Sequence, residues 1–132
     1  MKHTKTFLIA FLMVILLPIS AHADNLRIVQ FHADWCGGCK LMKPWLNEAK
    51  SKYRGKRNVE FIQLDFTNAK TTDKSLDFAL KNDLDDVFVR FQKRTGLVVL
   101  VDDNQNILSF ISYGDGKTAL FENIEKAIAQ IG

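Results

Sequence analysis

Hydrophobic and polar positions along this chain fall into recognisable periods, and each period predicts an element. Leu26 to His32, LRIVQFH, is a short apolar run suited to a strand. From Lys40 to Tyr53 the apolar residues Leu41, Met42, Trp45, Leu46 and Ala49 recur in steps of three and four, which predicts a helix ended by Arg54-Gly55. In Asn58 to Phe66, Val59 and Phe61 alternate with Ile62, Leu64 and Phe66. Both faces are therefore apolar, and the segment reads as an interior strand. Thr67 to Ser75 is polar and reads as loop, with Asp73 as a cap for a helix holding Leu76, Phe78, Ala79 and Leu80. Asp85 to Lys93 fits a strand or a helix, and helix is preferred because a strand there needs its own place in the sheet. Leu97 to Val101 is a buried strand, Ile107 to Tyr113 its hairpin partner, and Leu120, Ile124, Ala127, Ile128 and Ile131 mark a last helix.

The resulting order is β-α-β-α-β-β-α. A βαβ crossover requires a parallel pair and a hairpin an antiparallel one, so the fold class is α/β, a small mixed sheet with helices on both faces.

The first 23 residues stand outside this pattern. Lys2, His3 and Lys5 precede an unbroken apolar run of 11 residues, Phe7 to Leu17, followed by Pro18 and an Ala-x-Ala sequence at Ala21 and Ala23. A bilayer span needs about 20 apolar residues. Residues 1–23 are therefore expected to be a signal peptide cut near Ala23, and residues 24–132 one exported domain, periplasmic or secreted. With Lys2 and Lys5 removed, the +3 charge of the full sequence falls to +1. No basic arm or charge block remains to suggest nucleic acid.

Export changes the meaning of Cys36 and Cys39, the two cysteines of the chain. Outside the cytosol a disulfide persists. Yet a bridge across two residues closes too small a loop to restrain the unfolded chain much, so it suits a redox switch better than a staple. A helix starting at the cysteines places Cys36 where unpaired N–H groups and the helix dipole favour a thiolate. Cys39 lies one turn on, within reach of a mixed disulfide formed by Cys36. Gly37 and Gly38 add no side chains to obstruct a substrate. Lys40 favours the thiolate and Asp34 opposes it. A metal clip needs about four ligands. Beyond Ala23 there are two cysteines and one histidine, His32, whose simplest use is a hydrogen bond to nearby backbone, so no metal is expected.

The segment FHADWCGGCKLMKP resembles the active-site segment of the thioredoxin family, and the likeness extends through FIQLDFTN and LVVLVDDNQNILSFISYGDG. ADWCGGCK followed by IQLDFTN is closest to the periplasmic C-terminal domain of the membrane thiol:disulfide interchange reductase and its secreted relatives. The resemblance implies a minimal thioredoxin-like fold, without the family's extra first strand and helix. It implies a protein-disulfide reductase with Cys36 attacking and Cys39 resolving, Trp35 bordering the site and Pro44 bending the helix. The redox-active disulfide is then the whole chemistry, with no other cofactor. The expected partners are protein thiols or disulfides and a membrane electron donor. A binding module without turnover and a metal or cluster carrier are the alternatives.

Two departures from the family concern the site itself. The family buries an acid six positions before the first cysteine, where this chain has Gln30. A lysine often faces that acid from the next strand, where this chain has Gln63. The family also sets a cis-proline opposite the cysteines, where this chain has Thr95-Gly96. A cis bond without proline costs about 3 kcal/mol, so this loop is expected to be trans or rebuilt.

Overall fold

A computed structural model describes residues 24–56 and 58–132. The expected signal peptide lies outside the described residues. Among the described residues no helix is long and apolar enough to cross a membrane.

The elements are β1 (Leu26–His32), α1 (Gly37–Lys52), β2 (Val59–Asp65), α2 (Ala69–Lys81), α3 (Asp85–Phe91), β3 (Leu97–Val101), β4 (Ile107–Ser112), a single 3-10 turn (Tyr113–Asp115) and α4 (Gly116–Ile131). The sheet order is β2-β1-β3-β4. β1 pairs parallel with β2 and antiparallel with β3, and β3 pairs antiparallel with β4. This is the mixed α/β sheet expected from the crossover and the hairpin.

Three expectations need correction. Among the described residues β2 is an edge strand, not an interior one, because β1 is its sole neighbour there. Ile62 and Leu64 are buried on one face and Val59 and Phe61 partly buried on the other, and apolar contact on both faces does not supply a second pairing partner. Thr67 to Ser75 is largely helical: α2 begins at Ala69, capped by Asn68 rather than Asp73. The single helix between β2 and β3 is a pair, α2 and α3, separated by a turn in which Asp83 adopts φ 52°. The preference for helix at Asp85 to Lys93 agrees with α3.

The sheet separates two apolar layers. On one side Val29, Phe31, Ile62, Leu64 and Phe66 pack against Ala79 of α2 and Val87, Phe88 and Phe91 of α3. On the other side Ile28, Val98 and Leu100 pack against Met42, Leu46 and Ala49 of α1 and Leu120, Ile124 and Ala127 of α4. Each helix buries residues three and four apart, which is why its apolar stripe faces the sheet. β1 is buried on both sides and has a neighbour along each edge, so its C-terminal end is firmly anchored. The cysteine motif follows that end directly.

Candidate active site

The turn out of β1 is held by backbone and side-chain bonds to the end of β2. Cys36 N–H donates to the Ala33 carbonyl at 3.0 Å. Asp34 N–H donates to Thr67 Oγ1 at 2.9 Å, and the Trp35 indole N–H donates to the Thr67 carbonyl at 3.0 Å. Thr67 is held in turn by Asp65, whose carboxylate accepts from its N–H at 2.8 Å and from its hydroxyl at 2.5 Å. Burial pushes the Asp65 carboxyl up. The Thr67 bonds, with the nearby His32 and Thr71, outweigh that and leave it below the ordinary carboxylate value. Asp65 and Thr67 escaped the sequence reading. Nothing in their spacing marks them, because their role depends on β2 lying beside β1.

Cys36 is the N-cap of α1, with φ −80° and ψ 112°. Its sulfur accepts from Cys39 N–H at 3.1 Å, so one unpaired donor of the helix start points at it. Cys36 and Cys39 form a disulfide with Cα atoms 5.3 Å apart. Cys36 is 7% exposed and Cys39 1%. The more accessible of the two cysteines is thus the one at the helix start. Pro44 lies inside α1, which continues without interruption to Lys52.

The two glycines between the cysteines serve different ends. A Cβ on Gly37 would meet open space. A Cβ on Gly38 would overlap the ring of Tyr113 from the turn after β4, so Gly38 is small to admit that ring rather than a substrate. Tyr113 lies against Gly38 and Gly96 with its ring half-exposed, and Trp35, next to Cys36 in the chain, is exposed as well. Tyr113 also escaped the sequence reading, since only the return of β4 beside β3 brings it here.

Gln30, which is buried, and Gln63, which is exposed, are partners in the β1–β2 register. Together with Cys39, His32, Asp34 and the α1 stripe Lys40, Lys43, Asn47 and Lys50, they line a cavity of about 340 Å³. His32 departs from expectation: its Nε2 lies 3.1 Å from Asp34 Oδ1 instead of bonding to backbone, and its buried Nδ1 has no partner. Among the described residues no group of three or more His, Cys, Asp and Glu side chains converges as a metal site would.

Thr95 and Gly96 close the site from the far side. No peptide bond among the described residues is cis, and Gly96 has φ 69°, a left-handed conformation that glycine adopts without strain. Its N–H lies 3.0 Å from the Phe31 carbonyl and 3.1 Å from Cys39 Sγ. The loop has been rebuilt around glycine.

The sequence model of the thioredoxin family matches residues 19–81. A thiol:disulfide interchange protein, a TxlA homologue of Synechocystis, is 30% identical over 121 residues, covering 81% of this chain and 66% of that protein. This chain belongs to the thioredoxin family. Human thioredoxin is 40% identical over 47 residues, 36% of this chain, and the match spans 42% of the human protein. Among solved structures, oxidized mitochondrial thioredoxin 3 of Saccharomyces cerevisiae superposes with a TM-score of 0.50 at 27% identity, covering 77% of this chain and 78% of that one. MTB dsbF superposes with a TM-score of 0.53, covering 78% and 81%, and at 11% identity it shows the shared fold alone.

Proposed function

We propose that this protein is an exported thiol–disulfide oxidoreductase working as a reductase of protein disulfides, with Cys36 attacking and Cys39 resolving. The observation that carries the reading is the placement of Cys36 as N-cap of α1, bonded to Cys39 and receiving the Cys39 N–H on its sulfur. In the reduced protein the Cys36 thiolate attacks one sulfur of a substrate disulfide. A mixed disulfide forms and the other substrate sulfur leaves as a thiolate, taking a proton from water. Cys39 then attacks Cys36 Sγ, the mixed disulfide breaks, and the second substrate thiol departs. Two electrons have passed to the substrate and Cys36–Cys39 is oxidised. A donor dithiol must restore the pair. A membrane protein supplying it from the cytoplasmic side suits a protein exported by the leader at 1–23 and related to thiol:disulfide interchange proteins. The redox disulfide needs no further cofactor. Trp35 and Tyr113 offer an aromatic rim for substrate, with the partly exposed Thr95 next to Gly96.

The test is trapping. Cys39→Ser is expected to accumulate mixed disulfides with protein substrates, and Cys36→Ser to accumulate none. Reduced protein is expected to be alkylated at Cys36 first. Equal alkylation of the two thiols at neutral pH, with no trapped species, would point instead to a binding module without turnover. The reductase direction is tested separately by the reduction potential of the pair, where 30 mV corresponds to about 1.4 kcal/mol.

A further inference from the structure

Cys39 is buried beneath the site and must ionise before it can release a substrate. The groups around it pose a problem for that step. The buried polar side chain that shares the cavity with it is the neutral amide Gln30. The charged groups of the cavity, His32, Asp34, Lys40, Lys43 and Lys50, belong to its walls, and all of them contact solvent. One donor does touch the sulfur. The Gly96 N–H reaches Cys39 Sγ at 3.1 Å from a loop held at both ends: Gly96 N–H also faces the Phe31 carbonyl, and the Gly96 carbonyl accepts from Tyr113 N–H at 3.3 Å. Conformation rather than space favours glycine here. A Cβ on Gly96 would make ordinary contacts, 3.4 Å from Cys36 Sγ and 3.5 Å from the Tyr113 ring, but φ 69° disfavours any side chain.

We infer that the Gly96 backbone N–H is a catalytic group, a preorganised donor that stabilises the Cys39 thiolate in the resolving step. The inference rests on the oxidoreductase reading above. When Cys39 S–H gives its proton to water in the open cavity, the negative sulfur gains a charge-assisted bond from a donor already in place. The same donor holds the sulfur as it attacks Cys36 Sγ, the Cys36–substrate bond breaks, and the substrate thiolate departs and is protonated by water. The donor shares its hydrogen between sulfur and the Phe31 carbonyl, so little must move when the charge appears. A proline at this position, having no N–H, could not do this. The glycine is thus a gain of function at the resolving sulfur as well as the loss of a proline.

The direct experiment leaves the loop untouched. In 15N-labelled Cys36→Ser protein, Cys39 is the sole thiol, and its ionisation is read by thiolate absorbance while amide shifts are followed through the same titration. The Gly96 amide proton is expected to move with the midpoint of the thiolate signal. A Gly96 amide that stays flat while Cys39 ionises overturns the inference. Substitution supplies the second arm. In the same background Gly96→Pro deletes the N–H, and Gly96→Ala disturbs the loop but keeps it. Proline is expected to weaken Cys39 acidity about tenfold beyond alanine. In the otherwise intact protein, Gly96→Pro is expected to slow release of mixed disulfides near neutral pH about tenfold more than Gly96→Ala does, with recovery at high pH. Equal effects of proline and alanine would overturn it. Absence of any mixed disulfide in Cys39→Ser would instead defeat the oxidoreductase reading, so the two failures are distinct. If Gly96→Pro does not fold, the amide titration decides alone.

Discussion

Gln30 sits where the family buries an acid, and the groove brings it to the same cavity as Cys39. An amide accepts hydrogen bonds but cannot take a proton at neutral pH. Gln30→Glu would restore a base. Burial raises a carboxyl pKa toward neutrality, so the new glutamate is expected to accept the Cys39 proton and to speed release of mixed disulfides near pH 7. The gain should vanish as pH falls and the glutamate becomes protonated. Burying the acid is expected to cost about 1–3 kcal/mol of stability. Stopped-flow release rates across pH, beside a denaturant titration, check both halves. An unchanged rate and profile would place the proton route elsewhere, for which the unpartnered Nδ1 of His32 is the available base. Residue by residue, the cysteines could be located in the sequence from the C-x-x-C spacing, and Gln30 and Gln63 from the resemblance to the thioredoxin family, whose acid and lysine they replace. Thr67, Tyr113 and the Gly96 N–H could not. Each acts through a contact between segments tens of residues apart, and a backbone donor leaves no mark in a side-chain pattern.

At the scale of elements, α2 is the instructive failure. Its first two turns, AKTTDKS, carry almost nothing apolar, and of the whole helix Ser75 and Ala79 are the buried residues. Periodicity therefore had little to detect there. The helix starts at Ala69 because Asn68 Oδ1 accepts from Thr71 N–H at 3.0 Å while Thr71 Oγ1 accepts from Asn68 N–H at 3.1 Å. Ser75 ties it to β2, its Oγ accepting from Asp65 N–H at 2.7 Å and donating to the Asp65 carbonyl at 3.0 Å. A helix that depends on its cap should feel its loss. Asn68→Ala is expected to destabilise the protein by about 1 kcal/mol, read as a lower denaturant midpoint with unchanged slope. Alkylation of Cys36 should be unaffected, because Thr67 is anchored by Asp65 and not by the cap. β2 misled for a different reason. Apolar residues on both faces report what lies above and below the sheet, and edge pairing is a separate direction that hydrophobicity does not encode.

At the scale of the molecule, the two apolar layers are connected through β1, and Phe31 is where the connection bears on chemistry. Its side chain belongs to the layer opposite Cys39. The ring stacks on Phe66 with centroids 5.5 Å apart and meets Phe91 edge-on at 5.8 Å. Phe91 ends α3, and the chain from there to β3 is the loop that carries Gly96. The Phe31 carbonyl, meanwhile, accepts from Gly96 N–H on the Cys39 side. One residue thus packs the far layer and fixes the loop of the near one. Phe31→Ala is expected to cost about 3–5 kcal/mol through lost burial and a cavity, a large part of the roughly 5–15 kcal/mol typical of a whole domain. Phe31→Leu fills most of that space and should cost less. The functional consequence is separable from the global loss. With Phe91 no longer held, the Gly96 loop loosens, and in reduced protein well below its melting temperature Cys39 should be alkylated faster relative to Cys36. The ratio of the two alkylation rates, measured beside the melt for both variants, checks this. A destabilised Phe31→Ala protein with the parent's ratio would show that the loop is positioned by its own backbone bonds alone, without help from the far layer.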